Sequence, residues 1–585
     1  MFRNVQRNLT AFFGVGLLFA VSSPAVIAAD PFQLQGPGVN RDDFRLTEFA
    51  SGLNFPVGMT ELSDGSILVA VSNGSSFFGS TSGSLIRLAD TDGDGIADST
   101  TTLVDNVPSG KLTALRSAGQ LLVTTGQGSG APIAIYRKGA TPSDPPSLAG
   151  KLTISYSGSW LHPHSALAIR ETPGVPNSYD LVFQLGSREN FAETTTTLNM
   201  TSNIGPNAQL AGDALHLIRI TDDGTNLSSS PPIQLATGLR NAAGMVFDPL
   251  TNDLYLQDNG IDGLVNPNEP HSADELNVIS AADIATKLVD FGFPENYTQY
   301  RTGNLVGGAA TQPLVAFQPI PAPDGSESEG PNDITLSPTA FPAALQGGMF
   351  VTMHGKFPAA GVANEENPLV YVNLADNSYF HMISNDEPNV GHIDGLLSTY
   401  DSLYMADISP NGGFANANSQ TGKIYRLQSL ASSIPGDFNN DGSLDATDID
   451  LLTSAILAGK TASRFDVNED GTVSSLDRTF WVNEIKATYL GDSNLDGQFD
   501  TADFVFVMQR GKYADGIAGN AGWADGDWDG DGDFESSDLV LAMQEGGYEQ
   551  GPRPAVASVP EPDSLMACLS GLGGLSVIVR RKSFT

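Results

Sequence analysis

A weak sixfold repeat constrains the fold of residues 42–428 more than any other feature. Short apolar runs alternate there with clusters of Gly, Pro, Asn and Asp, a pattern typical of an all-β chain. Six units each end in a strand-like run, and the runs are GSLIRL at 83–88, PIAIYR at 132–137, ALHLIRI at 214–220, DELNVI at 274–279, PLVYVNL at 368–374 and GKIYRL at 422–427. A strand pair precedes each run. The order predicts a six-bladed β-propeller; an array of β-sandwiches, the alternative, would not repeat it six times.

Polar residues stand directly before each predicted innermost strand. Because the innermost strands of a propeller line its channel, these positions gather at one mouth, and they are 54–56, 109–111, 162–164, 240–241, 331–333 and 392–394. Arg188 in LGSREN, and His354 and Lys356 in MHGKFP, follow second strands and reach the same mouth. A funnel rich in His, Arg and Asp is therefore the candidate site. The alternative is that these groups only satisfy loop backbone at the rim.

Four acidic loops share one spacing in the last quarter of the chain. Each has oxygen-bearing side chains at positions 1, 3, 5 and 12 and Gly at position 6, which suits calcium because calcium takes six to eight oxygen ligands around a tight turn. An apolar, helix-like pattern follows the loops. The candidate ligands are Asp437, Asn439, Asp441, Ser443, Asp445 and Asp448; Asp466, Asn468, Asp470, Thr472 and Asp477; Asp492, Asn494, Asp496, Gln498 and Asp503; and Asp527, Asp529, Asp531, Asp533 and Asp538.

A fifth acidic loop lies between two strand-like segments of the first unit. Its carboxylates, Asp90, Asp92, Asp94 and Asp98, are spaced to hold one calcium ion in a hairpin loop. A polar turn without metal is the alternative.

Both ends of the chain carry patterns of export. Residues 1–29 combine two arginines, a short apolar stretch and small residues, as in a cleaved signal peptide; a membrane anchor is the alternative. Residues 559–585 combine Val-Pro-Glu-Pro, an apolar segment and a basic cluster, and this resembles the PEP-CTERM sorting tail, which in that family is cut by an exosortase after a transient stay in the membrane.

The formal net charge of −38 excludes nucleic acid as a partner, and the single cysteine, Cys568, excludes an intrachain disulfide.

Residues 435–550 resemble tandem dockerin type I modules, because the loops end in Asp where an EF-hand has Glu and a helix follows each loop. The resemblance implies a small α-helical, EF-hand-like calcium-binding domain that docks onto a cohesin-like protein. The alternative is that calcium only folds a small acidic domain with too little core of its own.

Residues 42–428 resemble the glucose/sorbosone dehydrogenase family through HPHSALAI, GLRNAAGMVFDP, DELNVI, FGFP and MHGK, which occur in this order. The resemblance implies a soluble propeller that binds pyrroloquinoline quinone (PQQ) and calcium and oxidises a sugar. It implies His162 as general base with an ordinary pKa, Arg240 and Asn241 as quinone contacts, and Lys356 as partner of a cofactor carboxylate. The carbonyls around Gly260 match the calcium site of that family.

The match has departures from the family pattern. Gly391, His392 and Ile393 stand where further cationic cofactor ligands are expected, and Leu161 replaces a polar residue before the base. Either Arg188 and His354 compensate, or catalysis has been lost. Two functions therefore remain: an exported PQQ-type sugar dehydrogenase, or a non-catalytic propeller that binds glycan or protein in a surface polysaccharide-degrading or adhesion assembly.

Overall fold

The computed structural model describes most of residues 30–553. The exceptions are 110, 128–129, 164–165, 267–268, 357–358, 414–418, 430–433, 440–441, 460–464, 469 and 471. The predicted signal peptide and sorting tail lie outside the described residues, as do His164 and Asp441.

Thirty strands run along the first three-quarters of the chain. In chain order they are β1 Phe44–Leu53, β2 Pro56–Glu61, β3 Ile67–Asn73, β4 Ser82–Ala89, β5 Ser99–Val107, β6 Lys111–Ala118, β7 Leu121–Gln127, β8 Pro132–Arg137, β9 Ser147–Ser155, β10 Leu167–Glu171, β11 Ser178–Leu185, β12 Leu198–Ser202, β13 Ala208–Leu210, β14 Ala214–Asp222, β15 Leu227–Ser229, β16 Ile233–Thr237, β17 Met245–Phe247, β18 Leu254–Asp258, β19 Glu275–Ile279, β20 Val289–Asp290, β21 Tyr297–Thr298, β22 Leu305–Val306, β23 Val315–Ala316, β24 Pro331–Leu336, β25 Gly348–Met353, β26 Leu369–Asn373, β27 Tyr379–Ile383, β28 Ile393–Ser398, β29 Ser402–Asp407 and β30 Gly422–Ser429.

Apart from the separate hairpin β21-β22, these strands form six mainly antiparallel blades around a channel, so the predicted six-bladed propeller is confirmed. Blade 1 is β2-β3-β4-β5, blade 2 β6-β7-β8-β9-β12-β13, blade 3 β10-β11-β14-β16-β20, blade 4 β17-β18-β19-β23, blade 5 β24-β25-β26-β27 and blade 6 β28-β29-β30-β1. The innermost strands β2, β6, β10, β17, β24 and β28 contact one another in a closed ring. The six runs that end the units are the third strands β4, β8, β14, β19, β26 and β30.

The first strand of the chain closes the ring by completing the last blade. Phe44 of β1 pairs with Ser429 of β30 in antiparallel register. The core lies between neighbouring blades, where, for example, Leu181 and Phe183 of β11 pack with Ile133 and Ile135 of β8. Because both faces of the middle strands are covered, they are apolar on both sides, which explains their nearly continuous apolar sequence.

Blades 2 and 3 carry strands that the repeat does not predict. The insertion after β11 adds β12 and β13 to the outside of blade 2, and β20 pairs in parallel with β16 through Ala236 and Val289. These segments are short and lie in insertions within units, so the local pattern gives no indication of the sheet they join.

The C-terminal region has one helix after each acidic loop, as predicted. The helices are α1 Ala446–Leu457, α2 Ser475–Phe480 with a π-helical turn at Trp481–Ile485, α3 Thr501–Arg510 and α4 Ser536–Glu545, and short 3-10 turns lie at Arg41–Asp43, Ala343–Leu345, Gly361–Ala363 and Trp523–Asp525. One core containing Trp481, Trp523 and Trp528 joins α1, α3, α4 and the π-helical turn that follows α2. Among the helices of the described residues, none is both long and apolar enough to cross a bilayer.

Candidate functional site

Ser187 joins the segments that carry His162 and Arg240. The Ser187 amide donates to the Arg240 carbonyl over 2.8 Å, and the His162 amide donates to the Ser187 carbonyl over 3.0 Å. Ser187 follows the second strand of blade 3, which ends at the side where the first strands of blades 3 and 4 begin. Antiparallel pairing therefore brings the candidate base and the candidate cation to one mouth.

The Ser187 hydroxyl also defines the tautomer of His162. Its oxygen lies 3.0 Å from His162 Nδ1, and its single proton is donated to the Glu189 carbonyl over 2.8 Å. Because that proton is already used, Nδ1–H must be the donor to Ser187 Oγ. The lone pair is therefore on Nε2, the nitrogen that can accept a proton from a ligand.

The expectation that His162 has an ordinary pKa is wrong. Burial, with the Arg240 guanidinium as a further cause, lowers its pKa to about 2. Desolvation and a nearby cation both disfavour the imidazolium, so the ring is neutral throughout the physiological range. In this state His162 is a good hydrogen-bond acceptor and a weak base.

Arg240 is buried and held by groups at the rim. Its side chain is 3 % exposed, and Nη2 lies 2.5 Å from Asp262 Oδ2, whose side chain is 66 % exposed. Nη2 also donates to Asn190 Oδ1 over 2.8 Å, and the Arg240 amide donates to Asp258 over 2.9 Å. A buried guanidinium therefore faces a carboxylate that reaches solvent.

A narrow pocket lies beside Arg240 and contains Gly260. It offers about 20 Å³ to a water-sized sphere, which is room for about one water molecule or ion. Asp258 and Glu275 line it, and burial raises the pKa of Asp258 to about 7 and that of Glu275 to about 8. Carboxylates and loop carbonyls in such a pocket suit a hard cation.

Asn241 and Gly260 are held by buried carboxylates of blade 4. The Asn241 amide donates to Asp258 Oδ1 over 2.6 Å, and the Gly260 amide donates to Asp274 Oδ1 over 2.7 Å. Within the described parts of the chain, the buried Oδ1 of Asn241 has no hydrogen-bond partner. That oxygen is a candidate ligand contact.

Lys356 and His354 belong to blade 5, and Lys356 contacts an acidic cluster. Lys356 Nζ lies 2.5 Å from Glu365 Oε2, and the Glu365 side chain is 66 % exposed. Burial lowers the pKa of His354 to about 3, and the His354 carbonyl accepts a hydrogen bond from His392 Nδ1. The predicted cofactor lysine, like Arg240, is therefore already paired with a carboxylate at the rim.

Arg188 supports the site through its backbone. Its carbonyl accepts from the Leu161 amide over 3.1 Å, which places the segment that carries His162, and its side chain is exposed. Sequence reasoning selected Arg188 but missed its neighbour Ser187, and likewise missed Asn190 and Asp262. Ser187 and Asn190 lie within the LGSREN motif, and Asp262 lies two residues after Gly260. This position in the sequence is the one signal that could have found them.

Two funnel residues of the remaining blades interact with charged groups of other blades. Asp333 pairs with Arg116 of blade 2 and accepts from the Leu396 amide over 2.9 Å. Burial lowers the pKa of Lys111 to about 7, and the nearby charge of Asp394 offsets only part of this effect. These contacts bind the inner strands of different blades to one another.

The four C-terminal loops repeat one set of contacts. The Asp at position 12 accepts from a loop amide and from the N-cap amide of the next helix; for Asp503 these donors are Ser493 at 2.9 Å and Asp500 at 3.0 Å. In three loops the Asp at position 1 accepts from the Gly at position 6, and the pairs are Asp437–Gly442, Asp492–Gly497 and Asp527–Gly532. The carboxylates are therefore turned into the loops.

The first and second loop pairs form one domain through Arg478. This buried side chain donates to the Asp527 carbonyl over 2.7 Å, the Trp528 carbonyl over 2.6 Å and Thr453 Oγ1 over 3.0 Å. Asp527, Asp529 and Asp531 have carboxylate oxygens within 4.8 Å of one another. The fourth loop is thus shaped as a cation site by contacts from the second helix.

The loop of blade 1 brings together three of its four predicted ligands. Oxygens of Asp90, Asp92 and Asp94 lie within 4.8 Å of one another. Asp98 instead accepts from the amide of Thr91 over 2.6 Å, and Asp90 also pairs with Arg426 at 3.2 Å. This loop remains a candidate calcium site with three side-chain ligands.

The dockerin type I domain family matches residues 435–486. This region is a calcium-binding dockerin type I domain, as the sequence predicted. The loops beginning at Asp492 and Asp527 repeat its geometry beyond the matched range. No match is found among curated proteins.

Solved structures similar to this chain include sugar dehydrogenases. A family AA12 carbohydrate-active enzyme of Trichoderma reesei is 15 % identical over 68 % of this chain and 98 % of its own, with a TM-score of 0.44. The PQQ domain of Coprinopsis cinerea pyranose dehydrogenase is 14 % identical over 68 % and 97 %, with a TM-score of 0.43. PQQ-bound aldose sugar dehydrogenase of Streptomyces coelicolor is 15 % identical over 66 % and 98 %, with a TM-score of 0.41. The protein is a six-bladed propeller followed by a dockerin-type domain.

Proposed function

We propose that this protein is an exported PQQ-type sugar dehydrogenase that is anchored to an assembly through its dockerin-type domain. The observation that carries the proposal is the Ser187 bridge, which holds the Nε2 lone pair of His162 and the guanidinium of Arg240 at one mouth. A hydrogen-bond acceptor next to a buried cation is the arrangement that abstraction of a hydroxyl proton beside an anionic oxidant requires.

The donor set at the mouth fits an anionic quinone. Arg240 and Lys356 are each paired with a rim carboxylate that is 66 % exposed, and a carboxylate of PQQ can replace either partner without uncovering the cation. Asn241 lies nearby, and its buried Oδ1 could accept a hydrogen bond from an N–H group of the cofactor. Arg240, Asn241 and Lys356 would hold the quinone, which supplies hydride acceptance from the sugar carbon.

His162 would take the proton of the sugar hydroxyl on Nε2. Its low pKa arises in part from Arg240, and an anion bound at the guanidinium offsets that cation and raises the pKa of the ring. Ser187 keeps the ring in the required tautomer during the transfer. The small pocket with Asp258 and Glu275 is the candidate calcium position beside the cofactor.

Titration of the full chain with PQQ at millimolar calcium, followed by quinone absorbance, tests the proposal. Asp262→Asn removes the rim charge that competes for Arg240 and keeps an oxygen acceptor, so we expect about tenfold tighter PQQ binding, which corresponds to about 1.4 kcal/mol. Asp283→Asn, at an exposed i,i+4 pair with Lys287, is the matched control and should leave binding unchanged. Absence of saturable binding in the wild-type chain would reject the cofactor.

A non-catalytic binding propeller is the second candidate. The pKa of about 2 for His162 favours it, because so weak a base accepts a hydrogen bond more readily than it takes a proton. Calorimetric titration with plant and bacterial oligosaccharides distinguishes the two functions. Sugar binding without reduction of an artificial electron acceptor, in the presence of PQQ, would select this second candidate.

The chain ends are proposed to serve export to the cell surface. We expect mass spectrometry of surface-released protein to show a start near Ala29 or Asp30 and an end near Pro562, because the signal peptide and sorting tail would be cut by a signal peptidase and an exosortase-type enzyme. A surface-released chain that still contains Cys568 would contradict the sorting proposal.

At the cell surface the dockerin-type domain would bind a cohesin-like protein, and this binding should disappear when calcium is chelated.

A further inference from the structure

Three glutamates converge at the edge of blade 5, next to Lys356, and none of them is assigned a role above. Glu327 and Glu329 are two residues apart in the extended segment before β24, so they share one face. Glu366 precedes β26, and a parallel backbone bridge pairs it with Glu327. Carboxylate oxygens of all three side chains lie within 4.8 Å of one another.

Several oxygens of this glutamate cluster are buried without a partner. Glu366 is 2 % exposed, and within the described chain neither of its carboxylate oxygens, nor Oε1 of Glu329, accepts a hydrogen bond. Burying unpaired carboxylates side by side is costly, and a bound cation would offset that cost.

Tyr300 gives an independent indication of a bound group at this cluster. It is 2 % exposed, and its hydroxyl has no hydrogen-bond partner among the described residues. Burial raises the pKa of this hydroxyl, and the charges of Glu329, Glu327 and Glu366 raise it further, as expected for a phenol close to the cluster. A buried phenol without a partner can donate its proton to a carboxylate or to a water on a bound ion.

The nearby cations do not neutralise the cluster. Arg301 lies 2.5 Å from Glu327 but also pairs with Glu269, and Lys356 lies 4.0 Å from Glu366 while contacting Glu365 at 2.5 Å. Asp274 adds a further negative charge, and its two oxygens are used by the amides of Gly260 and Gly330. Each cation is therefore shared with a carboxylate outside the cluster.

We propose that Glu327, Glu329 and Glu366 form a binding site for a hard divalent cation of the calcium class. The side-chain donors are all oxygens, and three carboxylates can supply up to six ligand atoms, as calcium requires and as softer metals do not. Tyr300 belongs to the long segment between β19 and β23 of blade 4. The ion would thus fasten blade 4 to blade 5, next to Lys356 and the mouth.

Counting bound calcium in the full chain tests this site. After depletion and dialysis against calcium chloride, E366Q and E329Q should each bind one equivalent less than the wild-type protein, by atomic emission. D376N, which changes an exposed carboxylate in a turn of the same blade, should bind the wild-type number. The C-terminal loops contribute equally to every variant, so the difference isolates the glutamate cluster. A folded E366Q chain with an unchanged count would overturn the proposal.

A wild-type measurement keeps the test decisive if both variants fail to fold. Crystals grown with manganese chloride should show an anomalous peak between the three carboxylates. The alternative is that two glutamates share a proton; it predicts direct oxygen–oxygen contact without a peak, and that result would also overturn the proposal. Neither outcome depends on PQQ or on activity, so failure here leaves the proposed function standing.

Discussion

Chelation of calcium from the full chain is expected to unfold residues 435–553 while the propeller stays folded. Each site adds about 2.7 kcal/mol to the free energy of unfolding when the calcium concentration is a hundredfold above the dissociation constant. Four sites together add about 11 kcal/mol. That sum is comparable to the whole stability of a small domain. Calorimetry should show two transitions with calcium and only the propeller transition with a chelator.

The acidity of the loops predicts how this effect depends on pH. Burial raises the pKa of Asp492 and Asp527 to about 6, above their unfolded value of 3.8. The charged forms are therefore disfavoured in the fold, and without calcium the domain should lose stability as pH rises from about 4 to 6. With calcium the dependence should reverse, because protons compete with the ion for the same oxygens.

One variant separates metal binding from other effects of a chelator. Asp531→Asn removes a ligand of the fourth loop only. We expect it to lower the free energy of unfolding of the C-terminal domain by about the contribution of one calcium site. Asp376→Asn, in an exposed turn of blade 5, is the matched control and should shift neither transition. An unchanged calorimetric trace after chelation at pH 7 would contradict a calcium-dependent fold.

Replacement of His162 by alanine is expected to lower turnover about 10²- to 10⁴-fold if the propeller oxidises sugars, which is the usual contribution of a general base. PQQ affinity should change little, because Arg240, Asn241 and Lys356 are proposed to hold the quinone. Steady-state kinetics with an electron-accepting dye gives the turnover, and quinone absorbance gives the affinity.

Two further variants assign the effect to the mouth. Arg240→Gln should weaken PQQ binding before it affects turnover at saturation, since it removes the charge and keeps a polar side chain. His381→Gln changes a buried histidine of the outer strand β27 and should leave both quantities at wild-type values. Equal turnover in His162→Ala and the wild-type chain would exclude His162 as the base.

The sequence alone determined the six blades, the four loops and the helix after each loop. Strand alternation and the spacing of Asp and Gly in a twelve-residue loop are local properties, because they depend on neighbours a few residues apart. The same local argument placed His162 and Arg240 correctly before β10 and β17. It could not give the pKa of His162, which depends on burial and on a cation 78 positions further along the chain.

Only the tertiary structure decided which groups surround these residues. Arg240 contacts Ser187, Asn190 and Asp262, each of which follows the second strand of a blade. In an antiparallel pair the second strand ends at the mouth where the first strand begins. The short motifs around these residues do not predict that they end there. Three glutamates and Tyr300 likewise converge from separate segments of blades 4 and 5. Such contacts are set by blade packing and insertions, whose energetics are non-local, whereas the strands and loops follow from short-range periodicity and turn chemistry.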